Sequence, residues 1–425
     1  MSADLEALLR ELVSIPSMNP FRTGKSDPGY GEARLAERVA AWLREAGLAA
    51  ETHDIAPGRT NVAALLDGPR GAAPLLFVAH LDTVPAEGMT VPPFEGIVKE
   101  GRLYGRGACD NKGSLAAMLA ALRRVAAAKS NRCPILFAGT ADEESGYGGI
   151  RSFLGAAVSA GSSVPRSACP TVLRSSSSPG AGEGEDTAGQ ASRGTAEKPR
   201  PKPFSHVLWP PRAGVVGEPT SLRIIIAHRG VARWTLTTHG QSAHSAHPEE
   251  GINAIYRMAP LVADLAALAA EIARRPPHPL VGPPTLSVGT IHGGLSVNTV
   301  PDRCAIEVDR RLIPGESAES AAAEVAAVAR RHGATLDDLF GSDPFEIARE
   351  ADVVRLVSDA VRAETGQAEA VGVAYATEAP EVLRAGIPVV VFGPGEGAKA
   401  HSADESIPLD QLEAASRIYE RIMKS

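Results

Sequence analysis

Three segments in the first third of the chain end in side chains able to hold a metal, and that recurrence constrains the fold more than any other feature. Leu75-Leu76-Phe77-Val78-Ala79 runs into His80-Leu81-Asp82. Gly105-Arg106-Gly107-Ala108-Cys109 leads into Asp110, just ahead of an Ala- and Leu-rich stretch. Ile135-Leu136-Phe137-Ala138 passes through Gly139-Thr140-Ala141-Asp142 into Glu143-Glu144. Short apolar runs that alternate with helix-spaced stretches read as βα units and a largely parallel sheet. In such open sheets ligands collect where strands hand over to loops at their carboxyl ends. Imidazole and several carboxylates at those points suit a hydrolytic site with one or two divalent metals.

The rest of the pattern fills in around that sheet. Leu5, Leu8, Leu9, Leu12 and Val13 recur at helical spacing and stop before Pro16. A second helix is expected from Gly31 to about Gly47, with Leu35, Val39, Trp42 and Leu43 as its apolar stripe, and a third from Ser114 to Ala128. From about Ala156 to Ser205 periodicity disappears into Ser-, Gly-, Glu- and Pro-rich sequence, which cannot bury enough apolar surface to offset its ordering entropy. That stretch reads as a disordered surface insert. Strand-like Arg223 to His239, a helix from Asn253 to Ala273, strands at Leu286 to Ile291 and Ala305 to Leu312, and a helix from Ser317 to His332 give a β-α-β-β-α order. This is a small two-layer α+β sandwich of ferredoxin-like type, inserted into the main domain. The boundaries expected are 1–229 and 339–425 for the main domain and 230–338 for the insertion. Val389-Val390-Val391-Phe392 reads as a buried strand of the main sheet.

Composition excludes more than it assigns. A formal charge of −7 offers no electrostatic attraction to nucleic acid or an anionic membrane. No apolar run is long enough to span a bilayer, and Met1-Ser2-Ala3-Asp4-Leu5-Glu6 is not a signal peptide. Cys109, Cys133, Cys169 and Cys304 lack CxxC spacing and read as reduced thiols of a cytoplasmic protein.

Taken singly, a His at a strand end or a Glu-Glu pair is usually an ordinary polar residue. Their combination carries more weight. His80 and Asp82, two apart on a strand, point to one face, which suits a ligand imidazole with a carboxylate fixing its tautomer. Glu143 and Glu144 can diverge, one toward a metal and one toward a bound water.

His80-Leu81-Asp82-Thr83-Val84-Pro85, Gly105 to Gly113, Glu143-Glu144 and Gly217-Glu218-Pro219-Thr220 resemble, in order, the signatures of the dinuclear zinc amidohydrolases. That family includes acetylornithine deacetylase, succinyl-diaminopimelate desuccinylase, aminoacylase and carboxypeptidase G. The resemblance covers about residues 5 to 422, apart from the insert. It implies a zinc-peptidase-like catalytic domain, a lid that also dimerises, and two divalent ions per subunit, zinc with cobalt able to substitute. Asp110 would bridge the ions, His80 and Glu218 would complete one site, and Glu144 and His401 the other. Glu143 would be the general base, Asp82 the partner of His80, and Asp110-Asn111 a cis peptide. His244, in Gly240-Gln241-Ser242-Ala243-His244-Ser245, would reach the partner subunit's active site and stabilise the oxyanion. The plain alternative is that His244 caps a turn before the Asn253 helix, a role also expected of His239 and His247. Asn298 and Arg311 fall in the lid's substrate-binding stretches, with Arg311 gripping a substrate carboxylate. Arg310 points to the opposite face of its strand.

Tyr375 to Pro380, Gly393-Pro394-Gly395 and Ala400 to Glu405 look most like the acetylornithine deacetylase branch. A buried Glu378 would pair with the cationic end of an N-acyl amino acid, or else cap the helix from Pro380 to Arg384. The expected activity is therefore removal of the acyl group from a small N-acyl amino acid, N-acetylornithine first, with no nucleic-acid or membrane partner. Desuccinylase, aminoacylase and peptidase activities are the alternatives within the family. An inactive member acting as a binding protein is the alternative of another class. One departure stands out: Glu144 and Glu218 are 74 positions apart, more than family members need, and Pro210-Pro211 is awkward in the strand that should lead to Glu218.

Overall fold

The computed structural model describes residues 3–21, 28–69, 71–161 and 210–425. Its framework is a nine-stranded mixed sheet. In spatial order the strands are Ala49–Ala56, Arg59–Leu66, Ile135–Thr140, Leu75–His80, Ala213–Val216, Val389–Val391, Ile224–His228 and Phe345–Glu346, with Ala370–Val373 also paired to Ile224–His228. The four strands from Ile135–Thr140 to Val389–Val391 run parallel, and antiparallel joins flank them. Leu75–His80 and Ile135–Thr140 are buried at every position, as continuous apolar runs covered on both faces should be.

Alternation along these strands sorts side chains into two layers. Leu75, Phe77, Ile135 and Phe137 pack with helices Ala3–Ser14, Ala33–Glu45, Lys112–Ala128, Asp352–Thr365 and Leu409–Met423. Leu76, Val78, Leu136 and Ala138 pack on the other face with helices Gly148–Gly161 and Ala379–Arg384. Each such leucine or phenylalanine contributes about 1.5–3 kcal/mol by leaving water. Register then fixes the position of the site. Leu75–His80 pairs with its parallel neighbour so that His80 lies opposite Thr140, and Val78 lies opposite Val216. The chain therefore leaves three adjacent strands at one edge, carrying His80, the Glu143-Glu144 turn and Glu218.

The second unit is the expected sandwich. Its four strands, in the order Thr285–Gly293, Arg303–Leu312, Gly230–His239 and Thr335–Ser342, are all antiparallel. Trp234, Leu236, Ile306 and Val308 face helices Ala254–Ile272 and Ala318–Arg331. The side chain of Asn253 caps the first helix by accepting from the Ile255 and Tyr256 amides, and Ser317 forms a capping box with Ser320 on the second. The final strand completes a β-α-β-β-α-β order that the sequence reading lacked, and it extends past the expected boundary at 338. Two aspartates, a glycine and a bulge interrupt its alternation, which explains why it escaped notice.

Most of the expected insert, 162–205, lies outside the described residues. Its opening positions instead belong to helix Gly148–Gly161. Pro210 and Pro211 precede the strand Ala213–Val216 rather than interrupt it, so this central strand keeps its ladder. Among the described residues no helix is long and apolar enough to cross a membrane.

His228 ends the strand Ile224–His228 and is fully buried. Its Nδ1 donates to the Arg229 carbonyl at 2.9 Å, which leaves Nε2 to accept from the Thr377 hydroxyl at 3.0 Å. Burial pushes this imidazole down from 6.5 to about 4. The unfolded chain therefore takes up a proton before the folded one does. Stability should fall as pH drops from about 6.5 to about 4, by about 3 kcal/mol at most. In urea titrations across that range, His228→Gln is expected to show a shallower acid loss than wild type. Identical slopes would contradict this assignment.

Candidate metal centre

Each candidate ligand is placed by a strand or helix terminus. His80 is the last residue of Leu75–His80, and Asp110 stands two residues ahead of helix Lys112–Ala128. Glu143 and Glu144 lie in the turn after Ile135–Thr140, and Glu218 lies two residues beyond Ala213–Val216. His401 follows a 3-10 turn and takes a left-handed backbone, φ +60°. The peptide between Asp110 and Asn111 is cis, as the resemblance implied.

Two groups of ligand atoms converge and share Asp110: His80, Asp110 and Glu218, and Asp110, Glu144 and His401. In the first, His80 Nε2 is 3.0 Å from Asp110 Oδ1 and 3.9 Å from Glu218 Oε1. In the second, His401 Nε2 is 3.2 Å from Asp110 Oδ2 and 3.1 Å from Glu144 Oε1. A tetrahedron of bonds about 2.0–2.1 Å long has edges of about 3.3 Å, so both sets of donors fit around a divalent ion.

Charge points the same way. Burial, together with neighbouring carboxylates, pushes Glu143 and Glu218 well above the usual carboxylate range, and burial also raises Glu144. Burial opposes the charge on Asp110 too, but the imidazoles of His401 and His80 hold its carboxyl below that range. His401, hydrogen-bonded to Asp110 and Glu144, is pushed up to about 11. An acid-rich cluster this deeply buried calls for positive charge, and one divalent ion in each group would supply it.

Asp82 does more than the sequence implied. His80 Nδ1 lies 3.0 Å from the Asp82 carbonyl oxygen and 3.6 Å from its carboxylate, so the main chain makes the closer contact. The Asp82 carboxylate instead accepts from the Glu143 and Glu144 amides at 3.1 and 3.0 Å and from Asn19 Nδ2 at 2.7 Å. It organises the turn as well as the imidazole. Glu405 acts similarly on the other side. Its Oε1 accepts from the Cys109 and Asp110 amides, both at 3.0 Å, and its Oε2 pairs with buried Arg106. Neither Asn19 nor Glu405 was assigned a role from sequence. Their partners lie 63 and 295 positions away, a separation that no local pattern encodes.

The remaining candidates stand apart from the ligand groups. His244 is exposed, and its Nδ1 accepts from the Ala246 amide at 3.0 Å within its own turn. The short pairing of Ala243–His244 with Thr299–Val300 brings Asn298 beside it, and the Asn298 carbonyl accepts from the Ser245 amide at 3.1 Å. Arg311 lies on the face opposite Arg310, half-buried and paired with Asp309 at 2.8 Å. Arg310 is buried on Glu316 at 2.6 Å, a structural contact. Glu378 occupies the N-cap position of helix Ala379–Arg384 but makes no side-chain cap, so the capping alternative is set aside. Thr377 takes the Ala379 amide instead. Glu378 is fully buried: its Oε1 accepts from Thr140, opposite His80, and its Oε2 has no hydrogen-bond partner among the described residues.

A family model described as peptidase family M20/M25/M40 matches residues 76–425. Acetylornithine deacetylase of Edwardsiella ictaluri is 30% identical over 416 residues, covering 95% of this chain and 93% of that protein. The enzyme of the same name from Myxococcus xanthus is 28% identical, covering 98% of this chain and 96% of that protein. Among solved structures, an M20 family metallo-carboxypeptidase from Sulfolobus solfataricus superposes with a TM-score of 0.72 at 16% identity, covering 100% of this chain and 99% of that one. A dinuclear metal binding peptidase of the M20 family from Bacillus subtilis gives 0.59 at 17% identity, covering 99% and 97%. These likenesses agree with the mixed α/β fold described above.

Divalent ions that bind the folded chain alone should stabilise it. At about 1,000 times the dissociation constant the gain is about 4 kcal/mol. Differential scanning fluorimetry should show Tm falling on chelation and returning with added zinc. A Tm indifferent to both would contradict the metal centre.

Proposed function

The chain belongs to peptidase family M20/M25/M40, and from that premise we propose that it is an amidohydrolase removing the acyl group from an N-acyl amino acid, with N-acetylornithine as substrate. The observation that carries this reading is the pair of ligand groups on one buried carboxylate, with Glu143 beside them. The choice of substrate rests on the near-full-length relatives named acetylornithine deacetylase.

In this reading His80, Asp110 and Glu218 would hold one ion, and Asp110, Glu144 and His401 the other. Zinc suits this mixture of imidazole and carboxylate donors. Such ions would polarise the scissile carbonyl and bring the pKa of a bound water from 15.7 to about 7. The protein's own side chains do the rest. Glu143, in the turn beside the ligand groups, is the base that takes a proton from the attacking water. The new bond joins water oxygen to acyl carbon, and the bond from that carbon to nitrogen breaks. Glu143 passes its proton to the departing nitrogen, so the products are acetate and the free amine. Asp82 holds the Glu143-Glu144 turn in place throughout.

Substrate contacts complete the proposal. Arg311 and Asn298 bind the substrate carboxylate side. The buried, unpartnered Oε2 of Glu378 takes the substrate's side-chain ammonium as its missing partner. His244 acts across a homodimer, stabilising oxyanion charge in the partner subunit's site. The sandwich supports such pairing: its edge strand Thr285–Gly293 is largely exposed, and Tyr256, Ile291, Leu295 and Val297 present apolar surface beside it. The buried free thiols Cys109, Cys133 and Cys304 suit a reducing cytoplasm.

A panel of N-acetylornithine, N-succinyl-diaminopimelate, other N-acetyl amino acids and dipeptides, assayed with metal-loaded protein, tests the substrate. N-acetylornithine is expected to have the highest kcat/KM, and Glu378→Gln to erase its advantage over N-acetylnorvaline. Glu143→Ala should lower kcat by about 10²–10⁴-fold with metal content unchanged. Preference for dipeptides would overturn the substrate assignment, and loss of metal along with activity would overturn the role of Glu143.

A further inference from the structure

A second buried charge cluster lies behind the turn that carries Glu143 and Glu144. Arg59, at the start of strand Arg59–Leu66, grips Glu32 with Nε at 2.7 Å from Oε2 and Nη2 at 2.7 Å from Oε1. Glu32 has no exposed surface, and the Arg59 side chain is 13% exposed. The same Nη2 donates to Asp142 Oδ1 at 3.0 Å. Glu32 Oε1 also accepts from the Asp142 amide at 3.2 Å, so the main chain and side chain of Asp142 are held together. Asp142 has φ +69°, a left-handed conformation uncommon for a residue with a side chain.

From Asp142 the brace passes directly to the site. The next two amides, of Glu143 and Glu144, both donate to Asp82, and Asn19 Nδ2 joins Asp82 Oδ2 at 2.7 Å to Asp142 Oδ1 at 3.4 Å. Three consecutive amides thus end on two buried carboxylates, Glu32 and Asp82, with Arg59 as the nearby cation. A buried ion pair is weak evidence for stability, because its attraction does little more than offset desolvation. Its planar two-pronged grip does fix geometry.

We propose that Arg59, locked by Glu32, is a positioning residue for the Asp142–Glu144 turn and thereby sets the affinity of the ion position formed by Asp110, Glu144 and His401. The inference rests on the two-ion reading above. It predicts asymmetry, because His80 and Glu218 follow the paired strands Leu75–His80 and Ala213–Val216 and do not hang on this turn. Disturbing the brace loosens one ion and spares the other.

Zinc titration of the metal-stripped full chain by calorimetry tests this, with cobalt absorption as the spectroscopic check on coordination. Wild type is expected to take up two ions per chain. Arg59→Met should keep the first within a few-fold and weaken the second about 10–100-fold, the usual cost of losing a group that orients a ligand. Arg59→Lys keeps the charge but loses the fork, so it should remain impaired. Glu32→Gln, nearly isosteric, should weaken the same ion and decides the matter if Arg59→Met does not fold. Two ions bound by both variants as in wild type, or both ions weakened equally, would overturn the brace. Fewer than two ions in wild type would overturn the two-ion reading itself, and the brace with it.

Discussion

The carboxylate of Asp110 is gripped from both sides, by His80 on one oxygen and His401 on the other, and the rest of the site depends on that shared group. A single aspartate can serve two ligand groups only if five residues from five parts of the chain meet within a few ångströms. The parallel register of three strands brings His80, the Glu143-Glu144 turn and Glu218 to one edge. The helix Lys112–Ala128 packs on Leu409–Met423 and beneath the sheet, so the loop before it reaches the same edge. His401 comes from the far end of the chain, on a turn whose left-handed backbone aims it back at Asp110 and Glu144.

Crowding this much negative charge into a buried space is costly, and the surroundings show how the cost is spread. Asp82 and Glu405 never join a ligand group, yet both spend their oxygens on backbone amides next to one. Each lies near an arginine: Glu405 is paired with buried Arg106, and Asp82 is linked through Asn19 and Asp142 to Arg59. Charge-assisted bonds to amides in a low-dielectric setting fix the turns that present the ligands. Rigidity of this kind lets a site hold like charges close together before any cation arrives.

Much of this could be read in the sequence, for a definite reason. The parallel strands are buried on both faces, so they appear as unbroken apolar runs, and the ligands sit at their ends. Short motifs kept in order carried the family. Long-range partners were hidden: Asn19, Glu32, Arg59 and Glu405 are isolated polar residues whose roles appear only when the sheet brings them together. The strand Thr335–Ser342 was missed because aspartates, a glycine and a bulge break its alternation. Glu378 was recognised as a residue of interest, but that its carboxylate faces Thr140 and does not cap the helix depends on a side-chain direction that sequence does not encode.

Anomalous diffraction from crystals of the zinc-loaded protein tests the central claim most directly. Two peaks about 3.5–4 Å apart should flank the Asp110 carboxylate, one within bonding distance of His80 and Glu218, the other of Glu144 and His401. A single peak, or two that do not share Asp110, would contradict the account.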